Sequence, residues 1–335
     1  MSTGFNVAIA GATGAVGAEF IRLLEEREFP VRQLKLLASA KSVGKSLEFK
    51  GQRIEVELLS EGSFREIDLA LFSAGAGTSR QFAPHAVDSG AVVVDNSSAF
   101  RMDENVPLVI PEINFADISA RHRIIANPNC TTIIALMGLY PLHRQFGVRR
   151  VVASSYQAVS GAGARAINEL FLQAKAHLEG ESYKPEVFPH PIAFNVLPQV
   201  DLFLETGYTK EELKFVNESR KILHYADLRA SITCVRVPVF RAHSVAVHAE
   251  FDRAVSVAEA REALAKFPGL QVVDNASEKK YPMPLNCAGK NDCQIGRIRI
   301  DSAFDNGLAF WVCGDQLLKG AALNAVQIAE NLALA

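Results

Sequence analysis

Three observations predict a two-domain α/β fold, in which a Rossmann-type parallel-sheet domain is joined to an α+β domain. Apolar runs alternate with helical stretches from Val7 to Ala126, the rhythm of strand–helix–strand units that build a parallel sheet with helices on both faces. That rhythm stops after the helical stretch following Cys130, and a β-rich segment runs from Ser231 to Phe251. The chain has 335 residues, more than one hydrophobic core usually serves. The expected division is 1–130, completed by a C-terminal helix over 316–335, and 131–315.

The first strand, Val7-Ala8-Ile9-Ala10, ends at Gly11-Ala12-Thr13-Gly14-Ala15-Val16-Gly17, after which Phe20, Leu23 and Leu24 mark one face of a helix. Glycines let the backbone turn tightly and approach a diphosphate, and the helix start adds NH groups and positive potential. Such a turn is also found where glycine serves sterics alone. Its place directly after a buried strand favours dinucleotide binding by Gly11, Thr13, Gly14, Ala15, Val16 and Gly17.

The second strand, Leu34 to Ala38, runs into Ser39-Ala40-Lys41-Ser42-Val43-Gly44-Lys45. An NAD site usually places an acidic residue there to bind the ribose hydroxyls. None is present, and Lys41 with the hydroxyls of Ser39 and Ser42 suits a 2′-phosphate, so the expected cofactor is NADP. The plainer reading is a solvated basic loop.

Strand-like runs follow at Ile67–Phe72, Val92–Asp95 and Arg123–Ala126. The loop Ser73-Ala74-Gly75-Ala76-Gly77-Thr78 is a second small-residue strand end, and Ser73 and Gly75 are placed beside the cofactor. A third polar strand end, Asp95 to Arg101, finishes on an arginine. Arg101 is either an ordinary surface charge or, at that rim, an anion-binding group.

Ala126-Asn127-Pro128-Asn129-Cys130-Thr131-Thr132 places a cysteine where an apolar run meets an apolar helix. Pro128 forces a turn before a helix can start. Unpaired NH groups and the helix dipole at that start favour thiolate over thiol, which makes Cys130 a candidate nucleophile. The bland alternative is a small buried hydrophobe.

In the second domain Val148 to Gln157 reads as a strand, and Gln157 precedes the flexible turn Ala158-Val159-Ser160-Gly161-Ala162-Gly163, whose Ser160 and Gly161 are assigned to the cofactor. A helix follows from Ala164 to Leu178. Thr209-Lys210-Glu211-Glu212 is a capping box opening another helix, on which Glu218 and Lys221 share a face; an exposed salt bridge is the plain account of that pair. Arg236 and His243 would face opposite ways in one unbroken strand, but Pro238 between them breaks it and lets both reach one site. His243 is the best-placed histidine for acid/base work, although a lone histidine in a β-rich segment is often structural. Leu308 to Cys313 is a last strand, and Gly314-Asp315-Gln316 leads into a helix over 317–334 that is expected to pack back on the first domain.

Composition narrows the function. A net charge of −2 supplies no basic field to hold nucleic acid or an anionic membrane surface. The stretch Met1 to Asn6 lacks the basic start and apolar core of a signal peptide, and no uncharged apolar stretch is long enough to span a bilayer, so a cytoplasmic location is expected. Five scattered cysteines suggest neither a disulfide framework nor a metal site, and the spacing of Cys287 and Cys293 fits no dithiol motif.

Taken together, the Gly11–Gly17 turn, Ser97-Ser98-Ala99-Phe100-Arg101, the 126–132 stretch, Ser154 to Gly163, Glu218-Ser219-Arg220-Lys221, Arg236 with His243, and Gly314-Asp315-Gln316 resemble the aspartate-β-semialdehyde dehydrogenase family over essentially the whole chain. The resemblance implies Cys130 as nucleophile, His243 as acid/base and Gln157 as the residue orienting the acyl intermediate. It also implies that Arg236 binds the substrate α-carboxylate, Glu218 its amino group, and Arg101 with Lys221 the phosphate, while Gln316 lies near the nicotinamide. Val245 stands where many members have glutamate.

The implied reaction is NADPH-dependent reductive dephosphorylation of aspartyl phosphate to the semialdehyde through a thioacyl enzyme, in the biosynthesis of lysine, threonine and methionine, by a homodimer. Close relatives act on N-acetyl-γ-glutamyl phosphate or malonyl-CoA; Glu218 argues against an acetylated amine, which carries no charge for it to bind. A catalytically silent NADP-binding scaffold would have no need of Cys130, Gln157, Arg236 and His243 together.

Overall fold

The computed structural model describes residues 4–334; the first three residues and the last position of the 316–335 segment lie outside the described residues. The chain divides into two compact units, Met1–Asn129 with Ala321–Ala335, and Cys130–Gly320.

The first unit is a seven-stranded sheet of β1 (Phe5–Ala10), β2 (Val31–Ala38), β3 (Ser46–Phe49), β4 (Gln52–Leu58), β5 (Leu69–Phe72), β6 (Val92–Asp95) and β7 (Ile124–Ala126), in the order β3-β4-β2-β1-β5-β6-β7. All pairings are parallel except β3 with β4. Strands β3 and β4 form a hairpin absent from the sequence reading. Its two-residue turn has both central residues at positive φ, Lys50 at 50° and Gly51 at 73°, which suits the strand twist but lacks the usual Asn-Gly signal.

Alternation along the strands loads both faces. Ala8 and Ala10 of β1, Leu37 of β2, Ala70 and Phe72 of β5 and Val93 of β6 share one buried cluster with Ala83 and Ala86 of the helix Ala76–Asp88. Val7 and Ile9 point the other way, toward the side of helix Ala15–Glu26, whose Phe20, Leu23 and Leu24 are fully buried. Strand order reverses at β1, between β2 and β5, and such a switch point opens a crevice at the carboxyl ends of the strands.

The C-terminal helix Leu323–Leu334 belongs to this unit. Glu330 takes a bidentate pair from Arg27 at 2.6 and 2.7 Å, and Asn324 donates to Asn127 at 2.7 Å and to the Val109 carbonyl at 2.9 Å. One expected element changes form. The single helix read over 317–334 opens with a π-helical turn, Leu318–Ala322, because the Gly320 NH reaches back five residues to the Asp315 carbonyl while the Asp315 carboxylate takes the Leu317 NH.

The second unit is built on a mixed six-stranded sheet: β8 (Val148–Gln157), β9 (Arg229–Arg236), β10 (His243–Phe251), β11 (Leu270–Val272), β12 (Cys293–Ile300) and β13 (Gly307–Gly314), in the order β11-β12-β13-β10-β8-β9. Helix Cys130–Phe146 lies on this sheet and against helices Lys210–Ile222 and Val257–Ala265, which explains why Thr131 through Leu139 are all buried. The opposite face leaves Val152, Tyr156 and Ile300 exposed, with Tyr156 and Trp311 in ring contact. Among the described residues no helix is long and apolar enough to cross a membrane.

Candidate active site

In the first unit the glycine turn closes on its own backbone. Gly11 sits at φ 88°, and a Cβ there would stand 2.3 Å from the Ser73 carbonyl oxygen; a Cβ on Gly17 would stand 2.3 Å from that of Gly11. Gly14 precedes helix Ala15–Glu26, and no side chain caps that helix, so its first NH groups are left for an anion. A cavity of about 480 Å³ opens beside the turn, lined by Gly11, Thr13, Gly14, Ser39, Ser73 and Thr78 among others. Thr13 and Ser42 hydroxyls lie 3.1 Å apart, Lys41 is exposed in the short turn Ala40–Ser42, and Ala15 and Val16 are half-buried. Gly75, at φ 87°, opens the helix that follows Ser73. An open cavity at the switch point, an uncapped helix start and small residues around both fit a dinucleotide.

Arg101 is buried in the same unit. Its guanidinium donates to the Asn127 carbonyl at 2.9 Å and the Asn96 carbonyl at 3.1 Å, so it is anchored to the loops that follow β7 and β6 and is no free surface charge.

In the second unit Cys130 is the first residue of its helix and half-buried, as the proline turn requires. Gly320 packs against it; a Cβ at Gly320 would come within 3.0 Å of the Cys130 Cβ. Strand β9 ends at Arg236 and β10 begins at His243, with Pro238 in the break, and both side chains reach Gly161. A Cβ on Gly161 would stand 2.9 Å from Arg236 Nη1 and 3.3 Å from His243 Nε2. Arg236 donates to the Ala158 carbonyl at 2.7 Å; burial pulls its pKa down while the charges of Glu211 and Cys130 act in the opposite sense, which puts the thiol within electrostatic range of this cation.

His243 is completely buried. Its Nδ1 accepts the Ala158 NH at 3.0 Å, so the neutral ring carries its proton on Nε2, and Nε2 has no partner among the described residues. Burial first and the Arg236 cation second hold its pKa well below the usual imidazole range. The result is a neutral, unpartnered donor beside Gly161.

Gln157, also buried, closes β8; its amide nitrogen donates to Glu211 at 3.0 Å and its oxygen accepts from the Ser155 hydroxyl at 3.3 Å. Glu218 and Lys221 lie on one face of helix Lys210–Ile222, but Glu218 is 1% exposed, so the pair is no solvated surface bridge. Ser160 hydrogen bonds Gln316, whose Oε1 accepts the Ala242 NH at 2.8 Å. The second unit thus gathers Gln157, Ser160, Gly161, Arg236, His243 and Gln316 around the turn that follows β8. Two participants escaped the sequence reading: Glu211, seen there only as part of a cap, and the Ala158 backbone, which holds both Arg236 and His243.

Residues 6–121 match the family described as semialdehyde dehydrogenase, NAD binding domain, and residues 139–319 that described as semialdehyde dehydrogenase, dimerisation domain. Curated relatives include the aspartate-semialdehyde dehydrogenases of Aquifex aeolicus, 52% identical over 98% of each chain, and of Bacillus subtilis, 48% identical over 99% of this chain and 98% of that one. The chain belongs to the aspartate-semialdehyde dehydrogenase family. Among solved structures, aspartate semialdehyde dehydrogenase II from Vibrio cholerae superposes with a TM-score of 0.96 at 43% identity, covering 98% of both chains, and a second structure of it, complexed with ASA, gives 0.95. For this aspartate-semialdehyde dehydrogenase family member the cavity beside the glycine turn lies within the residues that match the NAD binding domain.

Two of its residues sit in plain packing. Val245 is completely buried in β10 between Ser155 of β8 and Val312 of β13, so nothing polar is called for there. Cys287, buried beside Cys313, donates to Gln294 at 3.2 Å.

Proposed function

We propose that the enzyme reduces L-aspartyl-4-phosphate to L-aspartate-4-semialdehyde, reversibly, with NADPH, through a thioester on Cys130, in the biosynthesis of lysine, threonine and methionine. The observation that carries this is the neutral, buried His243, whose unpartnered Nε2 lies with the Arg236 cation against Gly161, on the unit that begins with Cys130. Residues 1–130 with 316–335 serve the dinucleotide, and 131–315 serve the substrate and the dimer contact. The exposed apolar face of the β8–β13 sheet supports a homodimer, and a net charge of −2 supports a small-molecule substrate over nucleic acid.

The chemistry follows from residue type. The Cys130 thiolate attacks the acyl carbon, the carbon–sulfur bond forms as the carbon–oxygen bond to phosphate breaks, and inorganic phosphate leaves with the bonding pair. Arg101 and Lys221 hold the phosphate, Arg236 the α-carboxylate and buried Glu218 the ammonium. Gln157 and the Nε2 proton of His243 stabilise the oxygen of each tetrahedral species. When bound, the reduced dinucleotide supplies the hydride that takes the thioester to the aldehyde level. Gly11 through Gly17, Ser73, Gly75, Ser160, Gly161 and Gln316 place it, and Ser39, Lys41 and Ser42 receive a 2′-phosphate.

The test is phosphate-dependent reduction of NADP with L-aspartate-4-semialdehyde. The expected result is turnover by the wild type and a loss of about a thousandfold or more in Cys130→Ser, as for other covalent nucleophiles. Near-normal turnover in Cys130→Ser would remove the nucleophile assignment. A wild type that ignored this aldehyde but used the N-acetylated homologue would remove the role of Glu218.

A further inference from the structure

Two acidic residues stand side by side in the first turn of helix Lys210–Ile222, and only one of them closes its capping box. Glu212 closes the capping box with Thr209 and takes the Cys234 NH at 3.0 Å. Glu211, 6% exposed, turns to the end of β8: its Oε1 accepts from Gln157 Nε2 at 3.0 Å, while its Oε2 accepts from Lys214 Nζ, also at 3.0 Å. Lys214 is itself tied to Asp201 at 2.8 Å. Burial alone would lower the pKa of Lys214, but the charge of Glu211 and the bond to Asp201 outweigh it, and the net direction is upward. An ammonium is therefore maintained on the far side of the carboxylate.

We infer that Glu211 is a positioning residue that fixes which end of the Gln157 amide faces the substrate; this rests on the function proposed above. A carboxylate has no proton to give, so the amide must present its NH₂ end to Glu211. In solvent an amide turns over at little cost. Here a flip would set the amide oxygen against a carboxylate oxygen in a buried site, whereas the Ser155 hydroxyl, able to donate or accept, tolerates either end. With one Nε2 proton spent on Glu211, the second is the one left to donate to an oxygen of the bound acyl group. Asp201, Lys214 and Glu211 form a buttress behind Gln157, and no member of it needs to touch the substrate.

A double-mutant cycle on the full-length protein tests this, with wild type, Gln157→Ala, Glu211→Ala and the double variant assayed for semialdehyde oxidation and for thermal midpoint. Glu211→Ala is expected to lower kcat by about tenfold to a hundredfold, the cost of a misplaced positioning group, with KM for the aldehyde changed less than about twofold. The same substitution should do nothing further in the Gln157→Ala background, and Glu211→Gln should recover part of the rate. Equal losses in both backgrounds would overturn the inference. A second readout does not need activity: the side-chain ¹⁵N amide signal of Gln157, identified by its loss in Gln157→Ala, should be shifted and exchange-protected in the wild type and solvent-like in Glu211→Ala. An unchanged signal would overturn the inference even if the aldehyde proved not to be the substrate. Should Glu211→Ala fail to fold, Glu211→Gln should give a smaller loss of kcat that disappears in the Gln157→Ala background, and an equal loss in both backgrounds would overturn the inference.

Discussion

The turn after β1 and the turn after β8 read alike in the sequence, as small residues and glycines at a strand end, yet they are closed by different things. At Gly11 and Gly17 the missing side chains make room for the chain's own backbone, and a cavity of about 480 Å³ lies open beside it. At Gly161 the missing side chain makes room for two buried side chains, Arg236 and His243. The first is a foundation with a free surface, and the second is part of the surface itself. A substitution should therefore cost mainly stability at one and mainly rate at the other.

The largest effect is expected where backbone meets backbone. Gly17→Ala should destabilise the protein by about 3 kcal/mol, the upper range for a forced contact, because neither the Gly11 carbonyl nor Ala12 can swing aside. Urea unfolding checks it; a loss under about 0.5 kcal/mol, the scale of a neutral surface change, would break the contrast. Gly161→Ala should instead cost less stability, about 1.5 kcal/mol for the Arg236 bond to the Ala158 carbonyl that the new methyl group disturbs, while kcat/KM falls on the order of tenfold to a hundredfold. A stability loss larger than that of Gly17→Ala, with normal kinetics, would reverse the comparison.

A smaller effect tests the state of His243. Its folded pKa is depressed, so below about pH 6.5 the unfolded chain takes a proton that the native ring refuses, and stability falls with pH at up to about 1.4 kcal/mol per unit from this group. Half-buried His143, also depressed, adds in the same direction, so the measurement is the difference in slope between wild type and His243→Gln in unfolding at pH 7 and below 6. The variant should show the shallower slope, and equal slopes would mean that His243 titrates normally. The smallest effect concerns the exposed Lys41. Lys41→Glu should weaken NADP against NAD by about fivefold to tenfold, roughly 1 kcal/mol for one solvent-exposed charge, and an unchanged preference would take the 2′-phosphate away from that loop.

What could be read without coordinates was governed by local rules. The helix at Cys130 follows from Pro128, and the Thr209 capping box needs only residues three apart. The β9–β10 break needs only Pro238, and the strand–glycine–helix opening carries its own signature. What was hidden depends on how strands line up. Gln157 meets Glu211 from 54 positions away, and the Ala158 NH meets His243 from 85, because β8 is paired with β9 on one side and β10 on the other. No spacing in the sequence encodes those meetings. Nor does it say whether a glycine faces backbone, ligand space or a histidine; the three glycines of the first turn and Gly161 look equivalent until the neighbours of their absent side chains are known.

The central claim is that the second unit holds the acyl group on Cys130. Incubating the enzyme with the aldehyde and NADP in the absence of phosphate, quenching in acid and mapping the peptides by mass spectrometry tests it most directly. The account predicts an aspartyl adduct on the peptide carrying Cys130, discharged by added phosphate and absent from Cys130→Ser. An adduct on any other cysteine, or turnover with no adduct at all, would contradict it.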